Sequence, residues 1–448
     1  MTVVLLHEIV MRHACVRTYV HMITNKIKNQ LNLCIINFNV SFLFLEQFFI
    51  KKMSQSNKNS KLKLSNVSDY PQKRTKIDTQ GLNQFSIHPL ARFNGPCSTF
   101  KQPVEIMSFS YDNERILHMD DRELKYYYPP DLKDCNLSHG YETFVQREQS
   151  GPEPIHSLLD SLAYAQKSST DKNLIKTDLV SWRGVFTKIL CTPYNRNEPW
   201  ELGATLWNNT IFIEEHETEY TKENSTGSTP RHKLMSYWGY KFENLSTISK
   251  LPSEITSPDD PELINRKTSI VNTNVQYCSV AKTSLGDNKL IMGAEVDCLC
   301  DVKPERPANP VDKYIELKTS KIVESEKDTF NFERYKLLKF WAQSFLIGIP
   351  KVIVGFRDNE GCVKSIKEFK TMDIPKIVKG KNGMWNATVC LNFANKFFEW
   401  LRTVIVVDDP NSSYTISFTS PFKDIKVEFV DKKNSVLAER HLDSLKSS

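Results

Sequence analysis

KLIMGAEVDCLCD (residues 289–301) and KYIELKTSKI (residues 313–322) are the two runs whose reading decides the fold. In an extended chain, side chains alternate between faces. In the first run Leu290, Met292, Ala294, Val296, Cys298 and Cys300 form a wholly apolar face, opposite Ile291, Gly293, Glu295, Asp297, Leu299 and Asp301. Glu295 and Asp297 therefore project together from the side opposite a core stripe. Like charges so placed repel unless a cation lies between them. In the second run Tyr314, Glu316 and Lys318 share a face, with Ile315, Leu317 and Thr319 opposite. Both runs are predicted as adjacent strands, with a carboxylate and an ammonium side by side on the second.

Asp297 followed nineteen residues later by Glu316-x-Lys318 is similar to the D…ExK site of a large nuclease superfamily. The chemistry explains the residue types. Hard carboxylate oxygens hold Mg²⁺ or Mn²⁺, and a lysine steadies the attacking water or the phosphate. An ExK triplet alone is common, and an exposed hairpin with a cross-strand ion pair would produce it. Its coupling to Glu295-x-Asp297 makes the metal site the better reading. No histidine occurs between His232 and His441, so a histidine base or zinc site would need partners from outside this region.

Working outward, the gap before the first run is a hairpin, VQYCSVAKTSL turning at Gly286-Asp287-Asn288. LVSWRGVFTKIL (179–190) reads as a strand rich in β-branched and aromatic residues, and residues 201–216 read as two strands around Asn208-Asn209. A polar loop is expected over 218–233, then a short helix near Trp238 containing GYKFE. Helical periodicity returns over 331–348 and 389–405, with a buried strand at 351–358 between them and a closing hairpin after them. Strands and helices alternate in the second half while the first half reads mainly β. The expected class is mixed α/β, in one domain.

Two more positions stand out. Glu243 lies one helical turn after Gly239 and can add a third carboxylate, or be a surface glutamate. Gln343 sits on a helix apolar around it, so its amide is either a hydrogen-bonded core group or a substrate contact.

The 448 residues carry 59 Lys and Arg against 53 Asp and Glu, a net charge of +6 that fits an anionic partner without requiring one. Only 15 glycines and no internal period exclude collagen-like and repeat architectures. The ten cysteines form no CxxC pair, which argues against a zinc ribbon and for a reduced, intracellular protein. Residues 31–50 are apolar and long enough to span a bilayer, but contain Asn32, Asn37, Asn39, Glu46 and Gln47. Residues 1–52 are accordingly read as an artefactual or dispensable leader rather than a membrane anchor. Residues 53–99 are read as a disordered basic tail whose KRTK cluster (73–76) is either a nuclear import signal or a solvated charge run, and 100–448 as the catalytic domain.

Taken in order, WRG with Arg183, GYKFE with Glu243, GAEVDC with Glu295 and Asp297, IELK with Glu316 and Lys318, and FWAQSFLIGIP with Gln343 resemble the DXO family of RNA 5′-end enzymes. The likeness runs from about residue 100 to about residue 430, with YYYPPD (126–131) as a further block. The resemblance implies two mixed β-sheets flanked by helices, with the catalytic pocket between them. It implies two metal ions held by Glu243, Glu295, Asp297, Glu316 and the carbonyl of Leu317. It implies that Lys318 and Gln343 contact the scissile phosphate and water, and that Arg183 holds the 5′-phosphate region; on the residues alone Arg183 could equally be a strand arginine in a salt bridge. The implied reaction releases pyrophosphate from 5′-triphosphate RNA, or cap dinucleotide from incompletely capped RNA, with NAD caps a further substrate. The sequence most resembles the fungal nuclear branch, whose partner is the nuclear 5′→3′ exoribonuclease. The alternatives are a non-catalytic stabilising subunit of that exonuclease and a D…ExK deoxyribonuclease.

Overall fold

The computed structural model describes residues 83–148, 151–195, 197–430, 435–443 and 445. The readings made for residues 1–52 and 53–82 lie outside it. Among the described residues no helix is long and apolar enough to cross a membrane. The described strands are β1 Gln84–Ser86, β2 Val104–Tyr111, β3 Leu117–His118, β4 Tyr126–Tyr127, β5 Leu179–Trp182, β6 Trp200–Trp207, β7 Thr210–His216 and β8 Thr247–Ile248. They continue with β9 Gln276–Leu285, β10 Asn288–Glu295, β11 Cys298–Leu299, β12 Tyr314–Lys321, β13 Lys351–Arg357, β14 Val363–Lys370, β15 Ser413–Phe418 and β16 Asp424–Val430.

Two mixed sheets result. The larger runs β1-β16-β15-β6-β7-β5-β10-β9-β2-β3, the smaller β14-β13-β12-β11-β4-β8. The β9–β10 hairpin forms as its sequence dictates: Leu285 faces Asn288 across Gly286 and Asp287, and Gly286 takes a φ of +57° that favours glycine. Asn208 and Asn209 likewise adopt positive φ between β6 and β7. Helices cover both faces of β10. Leu290, Met292 and Ala294 join the main core, while Ile291 packs in a second cluster with Leu158 and Val180.

The alternation expected over 290–300 holds only to Val296. After Glu295 the chain leaves the large sheet, and Cys298–Leu299 pairs with β12 and β4 in the small one. The crossing reverses the faces: Leu299 rejoins the main core, Cys298 turns into a third cluster with Ile315 and Leu317, and Cys300 is exposed. Asp297 lies at the crossing itself.

Three expectations are corrected. Residues 179–190 are not one strand: β5 stops at Trp182 and the helix Arg183–Cys191 follows. The buried positions Val185, Phe186, Ile189 and Leu190 have helical spacing, and that periodicity overrides the β-prone composition. The polar stretch 218–233 is not a loop but two helices, Glu219–Thr226 capped by Thr218, and Pro230–Leu245 capped by Thr229 with proline at its first position. Nor is 100 the start of order. Gln84–Ser86 pairs with β16, and Phe85 stacks among Phe93, Phe393, Phe397 and Trp400 at centroid distances of 5.3–6.3 Å. A polar tract hides this because only two aromatic side chains do the anchoring. Phe93 is fully buried, so Phe93→Ala is expected to cost about 3–5 kcal/mol in a denaturant melt; a loss within 0.5 kcal/mol, about the surface norm, would mean this segment contributes nothing to the core.

Candidate active site

The sheet crossing brings the candidate residues together. Glu295 ends β10, Asp297 occupies the bend, and Glu316 and Lys318 lie on β12, which pairs with the strand that follows the bend. Asp297 Oδ2 accepts a hydrogen bond from the Leu317 amide at 2.6 Å, which pins the bend to β12. The side chain of Leu317 belongs to the third core cluster, so what it offers this site is backbone. Glu243 arrives from the last turn of the helix Pro230–Leu245, which packs on β12.

Glu316 is 1% exposed and doubly paired, with Lys318 Nζ at 2.5 Å on Oε1 and Arg183 Nη1 at 3.0 Å on Oε2. Arg183 begins its helix rather than standing on a strand, so the partial positive charge of the helix N-terminus adds to its own. Its Nη1 also lies 3.5 Å from the Gln343 carbonyl, on the helix Leu337–Ile347. Gln343 is thus placed beside the arginine through its backbone, with its side chain half-buried. Within the large sheet Gly293 leaves room for the ring of Trp182 on the paired strand β5, which a Cβ would meet at 2.6 Å.

The electrostatics divide the site. Burial raises the Glu316 carboxyl, yet Lys318 and Arg183 outweigh it and hold the pKa at about 2. Asp297 is pushed up to about 7 by burial and then by the Glu316 charge. Glu243 is raised well above the usual range by burial and by Asp297. Glu295 opens to solvent through the cleft, but desolvation by the surrounding walls still raises it. Four carboxylates face two cations, so full ionisation leaves two negative charges uncompensated. Among the described residues no three of these acids converge into a ready ligand cage. Glu316 is instead drawn to its two cations and Asp297 to an amide. An excess of hard oxygen donors, held apart by mutual repulsion, nevertheless has the chemistry that a divalent cation satisfies.

The acids open into a cleft of about 500 Å³ lined by Glu243, Glu295, Asp297, Arg147, Tyr240 and Tyr277 among others. Sequence reading missed the last three. Tyr240 and Glu243 have helical spacing, which could have marked Tyr240; Arg147 lies in an irregular segment with no periodicity to reveal it.

Residues 101–443 match the family model described as RAI1 like PD-(D/E)XK nuclease. The chain is 44% identical over 329 residues to a "Decapping nuclease RAI1" of Neurospora crassa, covering 72% of this chain and 77% of that one. It is 40% identical over 322 residues to the protein of the same name from Emericella nidulans, covering 72% and 87%. Among solved structures it resembles Candida albicans Rai1 in complex with pU5-Mn2+, with a TM-score of 0.73 and 29% identity over 81% of this chain and 98% of that one.

Proposed function

The chain belongs to the RAI1-like PD-(D/E)XK nuclease family, and on that premise we propose that it is a divalent-metal-dependent decapping nuclease. It hydrolyses RNA 5′ ends, releasing pyrophosphate from 5′-triphosphate RNA and cap dinucleotide from incompletely capped RNA, NAD caps included. The observation that carries this reading is the junction of Asp297 with the Glu316–Lys318 pair at the sheet crossing, backed by Arg183.

Glu243, Glu295, Asp297, Glu316 and the carbonyl of Leu317 would hold two ions, Mg²⁺ or Mn²⁺. When bound, such ions would supply neutralisation of the charge that develops on the scissile phosphate. The remaining steps fall to the chain. Arg183, with its planar fork and the helix N-terminus behind it, binds phosphate oxygens on the 5′ side. Lys318 keeps its proton, since Glu316, Asp297 and Glu243 together outweigh the cost of its burial; it orients the attacking water and shields the phosphate charge. The Gln343 amide contacts the scissile phosphate and the attacking water, as the family likeness implies. Tyr240, whose hydroxyl is raised by desolvation and then by Glu243 and Glu295, remains a neutral donor facing the cleft.

The protein works in the nucleus as a partner of the 5′→3′ exoribonuclease, which degrades the monophosphorylated product. The likeness to the fungal nuclear branch and the KRTK cluster at 73–76 support that setting. The test uses 5′-triphosphate and unmethylated-cap RNAs with Mg²⁺ or Mn²⁺. Pyrophosphate and cap dinucleotide are expected, stopping on chelation and returning with metal. A folded, metal-loaded protein that releases neither product is a non-catalytic partner subunit, and a preference for DNA makes it a deoxyribonuclease.

A further inference from the structure

The far ends of β12 and β13 carry a second concentration of charge in which three cations, Arg231, Arg357 and Lys336, outnumber the one nearby carboxylate that acts on them, Asp358. Arg357 ends β13, in register with Lys321 at the end of β12. It is 6% exposed and its guanidinium lies 4.2 Å over the ring of Trp238. Its Nη1 donates to the Asp358 carbonyl at 3.1 Å, but its Nε is buried without a hydrogen-bond partner. Arg231 stands 4.8 Å over the same ring and donates to the Asn359 carbonyl. Lys336, closing the π-helical turn Phe332–Lys336, donates at 3.4 Å to the carbonyl of Thr319, the residue after Lys318. Such turns are frequent at functional sites.

Among the described residues no carboxylate pairs with any of the three; Asp358, beside Arg357 in the chain, is taken by Lys364 at 3.0 Å. The cations sense one another. Burial and then the charge of Arg231 lower Arg357, and desolvation and then Arg357 lower Lys336 to about 8. A buried guanidinium with an idle N–H is unfavourable until an anion completes it.

We propose that Arg231, Arg357 and Lys336 form a phosphate-binding site for the body of the RNA, 3′ of the reacting phosphate. The inference rests on the RNA 5′-end reading and adds a second point of attachment to it. Guanidinium forks match phosphate oxygens, and stacking on Trp238 holds the forks rigid. Trp238 is fully buried and leaves no face for a base, so the site reads backbone rather than sequence. RNA is favoured over an acidic peptide by position. Lys336 is tethered to the strand that carries Glu316 and Lys318, and three residues of strand, about 10 Å, separate Lys318 from Lys321. A polyanion already held by its 5′ end passes within reach.

The test compares pyrophosphate release from 5′-triphosphate RNAs of two and of about twenty nucleotides, a length chosen to exceed an ssRNA site size of roughly 4–16 nucleotides. Wild type is measured against Arg231→Gln, Lys336→Gln and Arg357→Gln. Arg231 and Lys336 are exposed, so those two variants fold even if the Arg357 variant does not. Wild type is expected to favour the long RNA in KM. Each variant loses several-fold of that advantage, keeps its rate on the dinucleotide, and lowers the salt-dependence slope for the long RNA by about one. No length advantage, an advantage unchanged in Arg231→Gln and Lys336→Gln, or equal losses on both RNAs overturns the proposal. So does binding of polyglutamate that these variants abolish while the length advantage stays. If wild type hydrolyses neither RNA, the functional reading has failed. The site is then judged by fluorescence anisotropy with the same two RNAs and the same criteria.

Discussion

Asp297→Asn is expected to lower pyrophosphate release at saturating Mn²⁺ by about a thousandfold while raising the melting temperature of the metal-free protein. The two effects have one cause. The Asp297 carboxyl is pushed up to about 7 from an ordinary 3.8 by burial and by Glu316, so its charge is unfavourable in the metal-free fold. The sign follows from linkage. Below about pH 4 the carboxyl is protonated in both folded and unfolded chains. Between about 4 and 7 only the folded protein keeps the proton, so stability falls as pH rises through that window and levels off above it. Glu316 does not blur the measurement, because its lowered pKa, about 2, places its own gain between about 2 and 4.5. Asparagine removes the Asp297 share of the falling limb, leaving that of the raised Glu243 and Glu295 carboxyls, and gains a few °C, on the order expected for one or two kcal/mol in a chain this size. Mn²⁺ reverses the order, stabilising wild type and leaving the variant behind. A variant that loses activity and stability together would mean the carboxylate is a structural hydrogen-bond acceptor for Leu317 and nothing more.

That trade between stability and function was partly legible in the sequence, and the illegible part has a physical reason. Two-residue alternation placed Glu295 and Asp297 together, and Glu316 with Lys318, because strands obey that period wherever they lie. Alternation cannot show that a strand changes sheets. The crossing at Asp297 flips Cys298 and Leu299 relative to Leu290 and Met292, and it creates the junction where the acids meet. The same limit applies at Arg183. Aromatic and β-branched residues argued for a strand through it, while the spacing of Val185, Phe186, Ile189 and Leu190 carried the helix. Starting that helix, Arg183 reaches across to Glu316 on the other sheet, a pairing separated by 133 positions that no local pattern encodes. Arg231, Arg357 and Trp238 are likewise united only by the fold. Polar composition up to residue 99 concealed Phe85 and Phe93, since two buried rings suffice to fasten a short strand to β16.

Lys318→Ala is expected to lower kcat by about a thousandfold and, unlike Asp297→Asn, to destabilise the protein. Glu316 is 1% exposed, and with Lys318 gone it keeps only Arg183 at 3.0 Å on one oxygen. Removing one partner of a buried pair leaves a charge that the interior cannot solvate, a cost of a few kcal/mol. Glu316 answers by rising from about 2 toward the usual carboxylate range or beyond. The metal-free variant then loses the stability that wild type gains between about pH 2 and 4.5, where a Glu316 held low releases its proton ahead of the unfolded chain. The double variant Lys318→Ala/Glu316→Gln separates catalysis from folding. It recovers most of the stability, because the orphaned charge is gone, and recovers none of the activity. Interaction energies between residues in contact are what such a cycle measures. A Lys318→Ala protein as stable as wild type would place solvent beside Glu316 and deny that the pair is buried. One that keeps its turnover would remove Lys318 from the reaction, leaving Arg183 as the cation that faces the phosphate.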